Sequence, residues 1–307
     1  MQGELRFGNA GYFYATTTML IWAGFVVVSR IGGQSELTVF DIAALRIGTA
    51  ALVLSPWWVP RLLNPESRQL RWYQSLIVAV LAGIGFPLLT FVSMTMAPAS
   101  HGAVLITGVL PFFTALLAFF LIGERPGRGR LAGLGLILLG VATLFVSNTA
   151  GSDAGSGVLL GDALLLAASL VWALFTVLIK RWNVRAFDVT LGVVATSALI
   201  YLPTYVVFLP KNIGEVAWSQ SLLQAFFQGF MVVCVALWSY AKAAELLGAV
   251  RAVIFLSATP VMGVLLSVVI LGEPMTTGIL VGAVVTFLGA LLGATASPGT
   301  VSEKLKK

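Results

Sequence analysis

Long apolar runs follow one another along the whole chain, and short polar joints separate them. About 20 helical residues, at a rise of about 1.5 Å each, cover the roughly 30 Å hydrocarbon core of a bilayer. Ten runs approach or exceed that length: residues 11–29, 39–60, 72–97, 100–122, 131–147, 158–179, 189–209, 221–241, 250–271 and 277–295. The pattern predicts an all-α membrane protein with ten transmembrane helices, and no joint is long enough to fold as a soluble domain.

Composition supports the membrane assignment. Of the 307 residues, 59% are apolar and 10% are charged, whereas a soluble domain is about half apolar and about a quarter charged. The first run resembles the apolar core of a signal peptide, but no clear small-residue cleavage site follows it, so we interpret it as the first span. The one cysteine, Cys234, lies in the eighth run. A lone thiol builds no disulfide framework, and we expect it to pack between helices.

Lysine and arginine residues are distributed very unevenly between the two sides of the predicted bundle. If the N-terminus lies inside, fifteen of them fall in inner joints or helix ends, only Arg30 and Lys211 fall outside, and Arg46 lies within the second run. Because positive residues in short loops set orientation, we expect both chain ends, including a tail at 298–307, in the cytoplasm. The net charge of +6 therefore reflects topology. No contiguous basic face indicates a nucleic-acid partner.

The second half of the chain repeats the first. Residues 259–274 (TPVMGVLLSVVILGEP) match residues 110–126 (LPFFTALLAFFLIGERP) at an offset of 149. The aligned positions include two prolines and two Gly-Glu pairs: Pro111 with Pro260, Gly123 with Gly272, and Glu124 with Glu273. At an offset of 150, Trp22 aligns with Trp172. The matches predict two repeats that fold in the same way.

The repeats are predicted to span residues 1–148 and 157–297, with five apolar runs in each. Because five is odd, the second repeat must enter the bilayer from the opposite face. Inverted repeats of this kind are typical of secondary transporters, which bind substrate near the midplane where the two halves meet. The sequence therefore predicts an alternating-access carrier whose partners are a small-molecule substrate and the lipid bilayer.

The five-plus-five repeat, the Leu45-Arg46 pair in the second run and the two Gly-Glu turns resemble the drug/metabolite transporter superfamily, in its EamA-type branch. The overall sequence looks most like the aromatic amino-acid exporters of that branch (the YddG type). The resemblance implies a basket of ten helices around a central cavity, and export of amino acids or related metabolites across a bacterial inner membrane. The chain departs from the nucleotide-sugar and triose-phosphate branches, which use more basic cavities.

Aromatic and polar side chains near the middle of several runs are candidates for lining the cavity. Trp22 and Trp172 are either packing between helices or a stacking wall for a flat substrate. The other four candidate rings lie in three further runs: Phe86, Trp238, Tyr240 and Phe255. Thr107 and Gln228 are candidates for hydrogen bonds to a substrate's polar end, although linking neighbouring helices is the commoner use of such residues.

Two basic residues begin equivalent runs, His101 the fourth and Arg251 the ninth. Free N–H groups and the helix dipole favour an anion at such a position, so one hypothesis is that both hold a substrate carboxylate at successive stages of passage. The alternative is that Arg251 follows the positive-inside pattern and His101 is an interfacial polar group. Arg46 is interpreted as structural, either extending to the interface or pairing with Asp41.

The acids offer no obvious proton relay, because none lies near a predicted midplane and proton-driven carriers commonly have one there. Asp162 lies close to the beginning of the sixth run and is expected to cap that helix. Downhill movement of substrate is therefore favoured. The coupling ion and the resting conformation stay open.

Two further features predict how the helices bend and pack. Pro111 and Pro260 fall within equivalent runs and are candidate hinges, with static shaping of the cavity as the alternative. The glycine pairs Gly129-Gly133 and Gly278-Gly282 predict small-residue packing faces on the fifth and tenth helices. These helices are expected to act as a scaffold in a monomer, or as the contact of a homodimer.

Motifs for enzymatic chemistry are missing from the sequence. The chain has no GxxxxGK[ST] phosphate loop and no HExxH zinc pair, and it has a single histidine. We therefore expect no enzyme, no metal site and no cofactor. A channel-like facilitator is the main alternative, but a channel usually has a continuous polar stripe along several helices. A second alternative is an exporter of other metabolites or drugs.

Overall fold

The computed structural model describes residues 2–64, 70–150 and 156–296. Its regular structure is helical, and the long helices run in this order: α1 Gln2–Gly33, α2 Val39–Leu63, α3 Trp72–Met96, α4 Ala99–Ile122, α5 Arg128–Ala150, α6 Ser156–Trp182, α7 Ala186–Phe208, α8 Trp218–Leu247, α9 249–271 and α10 Thr277–Thr295.

Nine of these helices, within the described residues, are long and apolar enough to cross a membrane. They include Ala10–Gly33 of α1 and the later helices except α5, Arg128–Ala150. The all-helical membrane architecture is thus confirmed, and the predicted run at 131–147 does form a helix. That α5 crosses the bilayer as a tenth span, and that the second half is inverted, stay predictions.

Three helices carry wide, π-helical turns in their interiors: Ala79–Gly85 in α3, Ala103–Gly108 in α4 and Ala225–Ala236 in α8. A π-turn shifts the backbone hydrogen bond by one residue and is often found at functional sites. The stretches in α3 and α8 begin seven residues after the helix start, whereas the stretch in α4 begins four residues after its start.

The two repeated prolines begin new helical segments rather than bending continuous helices. Pro111 lies in the first turn of Leu110–Ile122, and Pro260 lies in the first turn of Thr259–Leu271. Proline is tolerated there because the first N–H groups of a helix need no partner within it. The expected mid-helix kinks are thus helix breaks at equivalent places, and their role as hinges stays a prediction.

The same equivalence appears at the ends of these segments. Gly123 and Gly272 close them with left-handed backbone, at φ values of 74° and 67°. Glycine adopts this conformation without the steric penalty of a Cβ atom, and it ends the helix by satisfying the last carbonyl groups. The repeated sequence therefore folds into repeated local structure.

Helix α5 packs closely against α10 through the predicted glycine faces. A Cβ atom on Gly133 would lie 2.6 Å from the carbonyl oxygen of Gly289, and one on Gly140 would lie 2.7 Å from that of Gly282. Only glycine permits this approach of two backbones. Of the predicted pairs, Gly133 and Gly282 are buried at this contact, together with Gly140 and Gly289, so a homodimer through these helices would have to use their other faces.

We expect Gly133→Ala to destabilise the folded protein because its Cβ would meet backbone atoms of Gly289 and Gly293 at 2.6–3.0 Å. Overpacking of this kind costs about 1–3 kcal/mol. The matched control is Gly135→Ala on the same helix, where a Cβ atom would find no neighbour within 4 Å. Unfolding of both variants in detergent, followed by circular dichroism, tests the prediction, and equal midpoints would contradict it.

Helix α1 is the most enclosed of the nine candidate spans among the described residues, with 61% of its most apolar stretch buried inside the protein. It packs against α3, α8 and the second half of α9. Helix α6, its repeat equivalent, packs against α3 and the second half of α4. Trp22 lies on α1 and Trp172 lies on α6. Both side chains are half-buried and pack against the hydrophobic core.

Candidate functional site

A row of aromatic rings crosses the middle of the bundle. The Phe25 and Phe86 rings are stacked with centroids 5.8 Å apart, and the Phe86 and Trp172 centroids are 4.7 Å apart. We call Phe25, Phe86 and Trp172 the ring row. It joins α1, α3 and α6, and two of its three members are predicted cavity residues.

Trp22 belongs to a second contact. Its ring centroid lies 5.7 Å from that of Tyr240 on α8, with the planes inclined by 38°. Both side chains are half-buried. The structure thus places the repeat mates Trp22 and Trp172 in separate aromatic contacts.

Arg46 continues the ring row at its α1 end. Its guanidinium carbon lies 5.6 Å from the Phe25 centroid, within cation–π range. Its Nη1 donates to the backbone carbonyl of Gln228 at 3.4 Å and to Oε1 of the same residue at 3.2 Å. Gln228 Nε2 donates in turn to Ser29 Oγ at 3.1 Å. Arg46 is 7% exposed and Gln228 is 0% exposed.

The close approach of α2 and α8 depends on Gly229, within the π-helical stretch of α8. A Cβ atom at Gly229 would lie 2.5 Å from Cβ of Thr49 and 2.9 Å from the carbonyl oxygen of Arg46. A larger residue would push the helices apart and separate Arg46 from Gln228. Gln228 therefore supplies the acceptor for the Arg46 guanidinium, and Gly229 lets α2 come close enough for that hydrogen bond.

Asp41, the suggested partner of Arg46, has other partners in the structure. Its Oδ2 accepts from the backbone N–H of Thr38 at 2.8 Å and of Asn212 at 3.0 Å, and Oδ1 accepts from the Tyr205 hydroxyl. The Thr38 hydroxyl accepts from the Asp41 N–H, which completes a capping box at the start of α2. The expected Asp41–Arg46 pair is thus replaced by a cap.

His101 forms a buried pair with Asp162. Nδ1 of His101 lies 2.8 Å from Oδ1 of Asp162, and the residues are 2% and 0% exposed. This corrects two expectations, because Asp162 pairs across helices instead of capping α6, and His101 is enclosed instead of facing an open helix end. Asp162 lies six residues past the start of α6, and its buried contact with His101 was not predicted from the sequence.

The remaining predicted site residues lie elsewhere. Arg251 is exposed at the start of α9, and the Thr107 hydroxyl donates to the carbonyl of Ala103 on its own helix. The Phe255 ring lies 6.1 Å from Tyr12, and the Trp238 ring lies 5.3 Å from Tyr14. Trp238 is 55% exposed. These two rings pack at the contact of α1 with α8 and α9, apart from the ring row.

The repeat mates Glu273 and Glu124 make unlike contacts. Glu273 accepts from the backbone N–H groups of Ala99 at 2.7 Å and Ser100 at 2.9 Å, so it caps α4 from the turn between α9 and α10. Glu124, in the turn after α4, forms an ion pair with Lys180 at the end of α6. Equivalent residues in the two repeats are therefore in different environments.

A cavity of about 220 Å³ lies beside the Glu273 cap, lined by residues that include Arg30, Ser100 and Glu273. Arg30 and Lys180 are 150 positions apart, the same offset that relates Trp22 to Trp172. Glu273 thus has Arg30, from the end of α1, near it, and Glu124 has Lys180, from the end of the equivalent helix α6. Among the described residues, no group of three or more His, Cys, Asp or Glu side chains is arranged to hold a metal ion.

Comparisons with known proteins bear on what such a bundle does. The EamA-like transporter family matches residues 9–146 and again residues 159–295. An uncharacterized transporter of Archaeoglobus fulgidus is 34% identical over 166 residues, which cover 52% of this chain and about half, 54%, of the archaeal protein. The uncharacterized transporter YyaM of Bacillus subtilis is 26% identical over 257 residues, which cover 81% of this chain and 82% of YyaM.

A crystal structure of another protein, 17% identical, superposes with a TM-score of 0.63 and covers 93% of this chain and 97% of its own. At that level of identity the likeness shows a shared fold alone. The twofold family match agrees with the internal repeat seen in the sequence.

Proposed function

We propose that this chain, which belongs to the EamA-like transporter family, is a secondary transporter that exports amino acids with aromatic or apolar side chains, or related small metabolites, by alternating access. In this proposal it lies in a bacterial inner membrane with both termini in the cytoplasm, as the distribution of lysine and arginine predicts. Movement of the substrate is downhill and needs no nucleotide.

The ring row is the observation that carries the choice of substrate. Phe25, Phe86 and Trp172 come from three helices and follow one another near mid-helix, where a transporter binds its substrate between its halves. Flat apolar groups pack well against such rings, in offset or edge contacts with centroids about 4.5–7 Å apart. A polar end of the same molecule would find hydrogen-bonding groups at Arg46, which Gln228 holds in place.

The unlike contacts of Glu124 and Glu273 support alternating access. With the N-terminus inside, the Glu273 turn lies on the outer side, where α9 also touches α4 so closely that a Cβ atom on Gly263 would lie 2.7 Å from Cβ of Ala103. Glu124, on the inner side, pairs with Lys180 instead of a helix N-terminus. We therefore assign this conformation a closed outer end, and we expect Glu124 to cap α9 when the inner end closes.

The test of the proposed function is efflux from proteoliposomes loaded with a panel of amino acids. Tryptophan, phenylalanine, leucine and lysine are compared, with and without a pH gradient. A saturable tryptophan flux that unlabelled phenylalanine inhibits supports the carrier. Non-saturating flux of every compound favours the channel-like alternative, and flux of hydrophobic cations without amino-acid flux favours drug export.

Glu273→Gln is expected to open the outer side of the protein. The carboxylate accepts two backbone hydrogen bonds, and hydrogen bonds to charged groups contribute about 1.5–3 kcal/mol each. With Cys234 replaced by alanine, the thiol of Ser100→Cys in the adjacent cavity reports accessibility. Its labelling by an impermeant maleimide from outside should rise at least about threefold in the Glu273→Gln background.

The matched control for that experiment is Glu124→Gln, the repeat mate. It removes an ion pair on the other side and should leave the labelling rate unchanged or lower it. Equal labelling rates in the Glu273→Gln and Glu124→Gln backgrounds would contradict the assignment of a closed outer end.

A further inference from the structure

Arg46 is a charged group inside an apolar span. It lies seven residues after Val39, which is about 10 Å along α2. An arginine at the centre of a span costs about 2.5–3.5 kcal/mol on insertion scales, and such residues normally face the bundle interior, pair with another group or line a cavity. Arg46 is directed inward, to the fully buried Gln228 and the ring of Phe25.

The groups around Arg46 leave its charge without an anion. In the part of the chain that the structure describes, its hydrogen-bonding partners are two oxygens of Gln228, and both bonds come from Nη1. Asp41, one and a half turns away, is engaged by Thr38, Tyr205 and Asn212. A guanidinium has five N–H donors in a planar fork, so the side chain retains both a positive charge and donors for a further acceptor.

The chemistry of the groups around Arg46 favours a carboxylate with a flat apolar group attached. A guanidinium matches the two oxygens of a carboxylate in a bidentate pair. The ring row begins at the Phe25 face that Arg46 already covers and continues to Trp172. A molecule held by its carboxylate at Arg46 would therefore lay an aromatic side chain along these rings.

We infer that Arg46 is the subsite for the carboxylate of the transported molecule, and that the substrates are aromatic monocarboxylates, amino acids among them, whereas the corresponding amines are not. The inference rests on the proposed function for its setting, and it adds the group that recognises the substrate. Gln228 and Ser29 act as positioning residues that hold the guanidinium against Phe25.

Binding is tested first on the wild-type protein in detergent, by the shift of its thermal unfolding midpoint. Indole-3-propionate and tryptophan carry a carboxylate, and tryptamine carries the same ring without one. The two carboxylates should raise the midpoint and tryptamine should not. Equal stabilisation by all three compounds, or stabilisation by tryptamine alone, would overturn the inference without any variant being made.

Arg46→Gln then tests the residue itself. We expect the apparent affinity for indole-3-propionate and tryptophan to fall about 10- to 100-fold, since hydrogen bonds to charged groups contribute about that factor, while tryptamine binding stays the same or improves. Arg46→Lys keeps the charge without the fork and should lose less. If Arg46 only links α2 to α8, Arg46→Gln would change the binding of all three compounds to the same extent, and the inference would be wrong.

Flux separates this inference from the proposed function. If wild-type proteoliposomes move no amino acid but the carboxylates still bind in an Arg46-dependent way, export of amino acids is wrong and the subsite stands. If tryptophan flux is saturable and its preference over tryptamine is unchanged in Arg46→Lys and Arg46→Gln, transport stands and the subsite is wrong. If Arg46→Gln does not fold, the comparison of wild type with Arg46→Lys decides.

Discussion

Replacing Trp172 with alanine is expected to reduce the apparent affinity for tryptophan about tenfold or more, with the fold retained. Trp172 is the α6 member of the ring row, with its centroid 4.7 Å from that of Phe86 and 5.1 Å from that of Phe175. The contact between the Trp172 ring and the ring of a bound tryptophan is expected to contribute about 0.5–1.5 kcal/mol beyond the area that it buries. The apolar area buried on binding adds about 25 cal/mol per Å². Together these effects exceed the 1.4 kcal/mol that corresponds to a factor of ten.

Trp238→Ala is the matched control for that result. Trp238 was also a sequence candidate for the cavity, but it is 55% exposed and packs against Tyr14. Its loss should leave tryptophan transport nearly unchanged, while Trp172→Phe should keep much of it because a ring remains. Competition by tryptophan for labelled phenylalanine efflux measures all three variants. Equal effects of Trp172→Ala and Trp238→Ala would show that the ring row does not contact the substrate.

Removing the carboxylate of Asp162 is expected to destabilise the protein more than any other single change discussed above. The His101–Asp162 pair is nearly inaccessible, at 2% and 0% exposure. Removing one member of a buried pair costs about 3–5 kcal/mol, because the remaining group loses its partner in a low-dielectric interior. Asp162→Ala should therefore lower the yield of folded protein and its unfolding midpoint in detergent.

A double-mutant cycle isolates the pair from the loss of packing. Asp162→Ala, His101→Ala and the double variant are compared, and contacting residues usually show an interaction free energy of about 0.5–3 kcal/mol. Asp162→Asn keeps an acceptor and should cost less than alanine. Additive effects of the two single changes would mean that the pair contributes no net coupling to stability.

The caps and breaks of the helices show how far local sequence was informative. Asp41 lies close to the start of a predicted helix, and in the structure it forms a capping box with Thr38 there. Gly123 and Gly272 predict helix ends, and both adopt left-handed backbone. These features depend on residues within a few positions of one another, so the chain near them contains the information needed. The prolines were located correctly, but the helix break before each was not foreseen, since a kink and a break share the same local signal.

The candidate site was predicted only in part. Phe86 and Trp172 were selected as midspan rings, and the structure brings them into contact. Arg46 was interpreted as a structural residue that either extends to the interface or pairs with Asp41, because sequence proximity was the only guide to its partner. Gln228 is 182 positions away from Arg46, and Asp162 is 61 positions away from His101. A polar residue in an apolar run was the only signal for either contact.

The sequence by itself determined that this protein is a helical membrane protein of repeated construction, because span length, apolar composition and repeat matches are properties of consecutive residues. It also determined the glycine faces of α5 and α10, since small residues at regular spacing allow one kind of close packing. Only the tertiary structure decided which buried polar groups meet and which equivalent glutamate caps a helix. Those contacts depend on the rotation and crossing of helices distant in sequence, which many small packing free energies fix together.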